Sequence, residues 1–285
     1  MTADVDYDGG TRRSDLVMRI SIAKLAAAAL VIVASQGQVH AQSKADPEVA
    51  ARIAILKDAV KDRKMARDEE AVEAIKHLGA SYPKLASADQ KKVVRAVTSA
   101  LTTGRLRPPT RADVYLAASA ALGQMGPGGS SQLHKVFTKK RFPNKPEWLF
   151  MRVELVRNIG NTKDRKMVKF LCDRISRTAH DKVLLAAGET MTNYADTDQK
   201  VREPIVKAMI AKLGALEAAK SMQVLRADTP QSLAILNAGE TLELIAAPYN
   251  ATLKALTHQS FENGNDWQRW YNKNKTKPWR AEKQR

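Results

Sequence analysis

The groups that could do chemistry in this chain are few and far apart. Of its five histidines, His77, His134, His180 and His258 stand singly, none in a His/Cys/carboxylate grouping at metal-ligand spacing. That argues against a zinc or iron site. Asp4, Asp6, Asp8, Gly9 and Asp15 match the spacing of an EF-hand calcium loop, with Asp replacing the bidentate Glu at the twelfth position. Only three residues precede Asp4, too few for the first of two flanking helices, so calcium binding is not expected. Glu189 and Glu240 suggest an acid–base pair, but they occupy twin Ala-Gly-Glu-Thr segments. Two copies of one structural role explain them more simply. The single cysteine, Cys172, lies among Val168, Leu171 and Ile175 and reads as a small buried hydrophobe, not a reactive thiol. There is no Gly-x-Ser-x-Gly elbow and no phosphate-cradling glycine loop. No enzymatic activity, cofactor, metal or small-molecule substrate is expected.

Charge is the stronger signal. The chain holds 47 basic and 30 acidic side chains, a formal net charge of +17. Between Lys135 and Arg177 thirteen bases face four acids. The candidate contacts for an anionic ligand are Lys139, Lys140, Arg141 and Lys145, then Arg152 and Arg157, then Lys163, Arg165, Lys166 and Lys169. Phe137, Phe142, Trp148 and Phe150 interleave with the first part of the run, a composition suited to holding an anionic polymer or membrane surface by charge and stacking. A solvated basic face with its aromatics in the core fits the same residues, and the sequence leaves both readings open.

The elements that must carry these residues are helices. Ala71-Gly79, Ala118-Gly126 and Arg152-Gly160 end alike: positions one, four and five before the glycine are apolar in each. Leu78, Ile75 and Ala74 recur as Met125, Leu122 and Ala121, and again as Ile159, Val156 and Leu155. This is one face of a 3.6-period helix, and each glycine is expected to be a left-handed C-terminal cap. Looser copies surround Ala187-Met191 and Ala238-Leu242. Second helices are marked by Val93, Val97, Ala100 and Leu101; by Leu133, Val136 and Phe137; by Val168, Leu171 and Ile175; by Ile205, Met209 and Leu213; and weakly by Leu253 and Leu256. Strict apolar/polar alternation is absent, so no sheet is expected, and five antiparallel helix pairs are.

These residues resemble the HEAT-repeat proteins. Ala117-Gly126 (AASAALGQMG) with the polar turn after it is similar to the first helix and turn of a HEAT unit. The resemblance spans roughly Asp46 to Thr257 and implies an all-α solenoid of about five helical hairpins. The family includes iron enzymes, the deoxyhypusine hydroxylases, whose ligands are His-Glu pairs near the start of a first helix. The matching positions here are Tyr115-Leu116 and Val183-Leu184, so the resemblance does not extend to that activity.

Before the array, Arg19 and Lys24 precede ten uncharged residues, Leu25 to Ala34, and then Val39-His40-Ala41. That is the pattern of a secretory signal peptide. The apolar run is half of the ~20 residues a membrane span needs. We therefore divide the chain into 1–41 (an upstream extension before Met18, then the signal, 18–41, cleaved after about Ala41), 46–257 (the array) and 258–285. The last stretch has Trp267, Trp270 and Tyr271 on one face of a short helix capped by Asn265 or Asp266, similar to the ending of exported bacterial HEAT-repeat proteins. Beyond Lys273 a polar, basic tail is expected to be disordered. The whole reads as an exported, periplasmic or secreted, binding protein with a protein partner on its helical surface. The alternative is an anionic polymer or membrane surface on the basic stretch.

Overall fold

The computed structural model describes residues 47–139, 141–225 and 237–279. The calcium-like loop, the signal segment, Lys140 and the basic end from 280 lie outside the described residues. Within them there are eleven α-helices, short 3-10 turns and no strand. The helices are α1 (Pro47–Lys61), α2 (Asp68–Ser81), α3 (Ser87–Thr102), α4 (Asp113–Gln124), α5 (Gly126–Thr138) and α6 (Leu149–Asn161). They continue as α7 (Val168–Arg177), α8 (Asp181–Glu189), α9 (Gln199–Leu225), α10 (Ala238–Thr257) and α11 (Gly264–Asn274). The described chain is all-α, as its periodicity implies.

Neighbours are set by two interleaved series. Helix α2 packs on α4, α4 on α6, α6 on α8 and α8 on α10, while α1 packs on α3, α3 on α5 and α7 on α9. Helix α4, touched by α2, α3, α5 and α6, has Ala, Ser and Gly where an outer helix would carry charge. Helix α7 has one covered side, so only Val168, Leu171 and Ile175 are buried along it.

The three matching glycines are not all caps. Gly126 alone takes a positive φ, 59°, between α4 and α5. Gly79 and Gly160 lie inside their helices. A Cβ on Gly160 would sit 1.9 Å from Thr190 Oγ1, so the absence of a side chain lets α6 meet the turn after α8. A Cβ on Gly79 would reach Ala121 Cβ at 3.4 Å, ordinary contact between α2 and α4. The shared letter marks close helix approach as much as chain reversal.

Connections lie beside one another along two edges. On one, Tyr82 Oη donates to Met125 O at 3.3 Å, Ser130 Oγ to Asp164 Oδ2 at 2.6 Å and Tyr194 Oη to Asp164 O at 3.1 Å. These tie the turns after α2, α4, α6 and α8. On the other, Arg111 Nη2 donates to Met65 O at 2.6 Å and Arg141 Nη2 to Gly104 O at 2.9 Å, tying the links after α1, α3 and α5. Arg107, 2% exposed, grips Asp68 Oδ1 through Nε at 3.0 Å and Nη2 at 2.7 Å.

Three sequence expectations change at the C-terminal end. The segments expected to form a fifth pair, around Ala238-Ala246 and Leu253-Leu256, are one continuous helix, α10, with Pro248 inside it. The N-cap of α11 is Asn263, whose Oδ1 accepts the Asp266 N–H at 2.9 Å, not Asn265 or Asp266. The start of the basic tail is ordered: Trp279 is buried at 6% exposure, its N–H bonded to Gln199 Oε1 and its Nε1 to Asn274 O.

Candidate binding surface

The basic stretch is contiguous in sequence and divided in space. Helix α6, with its 13 residues, separates Lys145 from Lys163 by about 20 Å at 1.5 Å per residue. Lys139, Arg141 and Lys145 therefore belong to the edge shared with Gly104, and Lys163, Arg165 and Lys166 to the edge of Ser130 and Asp198.

Several cations serve the fold itself. Arg141 bonds Gly104 O. Arg152 lies 4.2 Å from the Phe137 ring centre and reaches Phe142 O at 3.4 Å. Burial, then the neighbouring Arg174, pulls its guanidinium pKa down. Arg157 pairs with Glu154 at 2.8 Å and Glu189 at 3.6 Å, and Arg165 with Asp198 at 3.2 Å. The exposed pairs contribute no more than about 1 kcal/mol each. Lys139, Lys145, Lys163, Lys166 and Lys169 are exposed, with no acid within ion-pair distance among the described residues.

Of the two readings the sequence leaves open for the interleaved aromatics, three of the four rings follow the second and lie in the core. Phe142 and Trp148 are buried, 5.3 Å apart by ring centres, and both meet Tyr115. Phe137 lies edge-on to Phe170 at 5.3 Å. Only Phe150 is exposed, stacked on Trp148. Polyanion binding here would rest on lysine charge, not on base-like stacking.

Burial, then Asp173, pushes the Cys172 thiol up to about 12, as suits an inert side chain. Glu189 faces Arg157, and Glu240 sits in the first turn of α10. Among the described residues no three His, Cys, Asp or Glu side chains converge as metal ligands. None of the described helices is long and apolar enough to cross a membrane.

Sequence reasoning missed a groove of about 650 Å³ between α1 and α3. Its α1 side carries Val49, Ile53 and Val60; its α3 side carries Ala96 and Ser99, whose small side chains leave the trough open. Ser99 Oγ turns back onto Ala96 O at 2.6 Å. Lys57 and Lys61 line it from α1, Lys92 and Arg95 from α3. The one acid among the described residues of its wall, Asp89, is buried at 6% exposure and paired with Lys92 at 2.8 Å. The signal in the sequence was the apolar row Val49, Ile53, Leu56, Val60 with lysines beside it, in a helix that lacks the glycine phrase.

No family model matches this chain, and no curated protein does. Among solved structures, the crystal structure of an engineered protein is similar at 16% identity over 73% of this chain and 94% of that one, with a TM-score of 0.25. At that TM-score the likeness carries no argument about fold or activity.

Proposed function

We propose that this protein is an exported, non-enzymatic scaffold of HEAT-like helical hairpins, stacked as an α-solenoid and closed by the aromatic C-terminal segment, that engages a protein on its helical surface. The observation that supports this reading is the pair of neighbour series, α2–α4–α6–α8–α10 and α1–α3–α5, with side-by-side connections. Such stacking buries each hairpin between its neighbours and leaves troughs between successive outer helices as binding surface. Export rests on the basic, apolar and small-residue pattern of 18–41.

The test is affinity capture by the mature protein from its own envelope extract at low and at high salt. A protein seated on apolar surface stays bound at high salt, because only its exposed charges are screened. Loss of every captured species at high salt would instead favour the second reading, an anionic polymer or membrane surface. Lys163, Lys166 and Lys169, exposed and without an acid partner among the described residues, are the observation behind that reading.

A further inference from the structure

We propose that the groove between α1 and α3 is the docking site for an acidic amphipathic helix of a partner protein. The proposal rests on the scaffold reading above and names the site and the chemistry of its occupant.

Length, floor and rim all bear on the choice. From Val49 to Lys61 the trough runs along about 18 Å of α1, the length of roughly three turns of a guest helix. Val49, Ile53, Val60 and Ala96 give it an apolar floor. A guest apolar stripe at i, i+4 and i+7 fills such a floor. Small residues at 96 and 99 admit guest side chains where bulkier ones would already occupy the space.

The rim decides the guest's charge. Lys57, Lys61 and Arg95 have no acid within ion-pair distance among the described residues, and Lys92 neutralises Asp89. The cations continue past the C-terminal end of α1, where Arg63 and Arg105 line the adjoining cavity. Asp62 in that cavity is engaged by the backbone N–H groups of Lys64 and Ala66, at 2.9 and 2.8 Å, which cap the approach to α2. A neutral or basic helix would therefore leave an uncompensated positive rim, whereas glutamates flanking an apolar stripe match it. Electrostatic complementarity of this kind sets specificity and association rate more than affinity.

The probe is a fluorescein-labelled helical peptide of three to four turns, with leucine at i, i+4 and i+7 and glutamate on both flanks. Its binding to the full chain is followed by anisotropy. Ser99→Leu fills the trough, and the double charge reversal Lys57→Glu, Lys61→Glu inverts its exposed rim without touching the floor. Ser99→Leu is expected to weaken the acidic peptide by about tenfold or more, as for loss of a central contact, and the charge reversal to do so by setting like charges against the guest's glutamates. A peptide with lysine flanks is expected to bind poorly to the parent and to recover on the charge-reversed variant.

Equal binding of the acidic and lysine-flanked peptides, or an unchanged affinity in the charge-reversed variant, overturns the proposal. So does a peptide that fails to bind while phosphatidylglycerol vesicles bind and lose affinity with Ser99→Leu, which would assign the trough to a lipid surface. The surface reversal keeps the test decisive if Ser99→Leu does not fold. In the envelope capture, a protein partner retained equally by parent and charge-reversed variant refutes the groove and leaves the scaffold reading standing. No captured protein at any salt refutes the scaffold reading.

Discussion

The two ends of the helical series complete themselves by different means. At the C-terminal end aromatic bulk packs against α9 and α10. Trp267 is wholly buried, with Phe261 edge-on at 4.9 Å and its Nε1 bonded to Asn250 Oδ1 at 2.9 Å. Trp270 bridges from Trp267 to Trp279 at ring distances of 6.1 and 5.5 Å. At the N-terminal end charge holds the links together, through Arg107 on Asp68 and Arg111 on Met65 O, and α1 and α3 leave a trough between them. In the proposed solenoid a terminal hairpin would lack one neighbour, and its exposed side would be sealed or put to use. Among the described residues, the contrast is between an end sealed by aromatic rings and an end that keeps a trough between its helices.

If that contrast is right, truncation at the sealed end does the most damage. Trp267→Ala removes the largest fully buried side chain and orphans Asn250 Oδ1. We expect a loss of about 3–5 kcal/mol in urea unfolding, the range for aromatic-to-alanine changes in a core. A melting curve like the parent's would mean that the C-terminal helix is not a seal. At the other end Asp68→Ala strands the buried Arg107 guanidinium. Removing one partner of a buried pair costs about 3–5 kcal/mol. Asp68 keeps 14% side-chain exposure, which admits water to the site, so the effect should fall at or below the lower limit of that range. If Asp68→Ala proved the more damaging of the two, the N-terminal end would be the better sealed, and the contrast would reverse.

The helices and their buried faces were legible in the sequence because the apolar period is a local signal. Val93, Val97, Ala100 and Leu101 in α3 are all buried, as are Leu133, Val136 and Phe137 in α5. What each glycine does was less legible, because glycine serves two ends with one letter. Gly126 supplies a positive φ; Gly160 supplies a missing Cβ against Thr190, a contact decided by a residue thirty positions away. The basic stretch was legible as charge but not as surface. Sequence counts Arg141 and Arg152 alike with Lys163, yet a backbone carbonyl holds the first and an aromatic face covers the second. By composition Trp279 belongs to a polar tail, because its partners, Trp270, Tyr271 and Gln199, are joined to it by packing, not by any periodic pattern.

The middle of the series offers a smaller test of whether basic surface away from the ends binds anything. Replacing Lys163, Lys166 and Lys169 with serine removes three exposed charges from one edge. Stability should move by no more than about 0.5 kcal/mol per site, as for other surface changes. Affinity for a sulfated polysaccharide should fall, and its dependence on salt should flatten, because fewer counterions are released on binding. An unaltered salt slope would remove this edge as a polyanion site. The accessible groove at the N-terminal end would then stand out more sharply.

The smallest expected effect concerns protons and also belongs to the middle, where neither seal nor groove intervenes. His134 on α5 meets the Phe170 ring edge-on at 4.7 Å, and Arg174 lies over the same ring at 5.3 Å. Burial, then the Arg174 charge, holds the imidazole below its ordinary pKa. The charged form is therefore disfavoured in the folded chain relative to the unfolded one, where histidine titrates near ~6.5. Above that pH both states are neutral at this site and its packing contributes in full. As pH falls through ~6.5 toward the folded pKa, the unfolded chain takes up the proton first, so stability declines on acidification. His134→Gln has no such proton to take up, and its stability should lie closest to the parent's at the acid end of a pH 5–8 series. If the difference between parent and variant grew on acidification, protonated His134 would be favoured in the fold, and Arg174 could not be the charge that governs it.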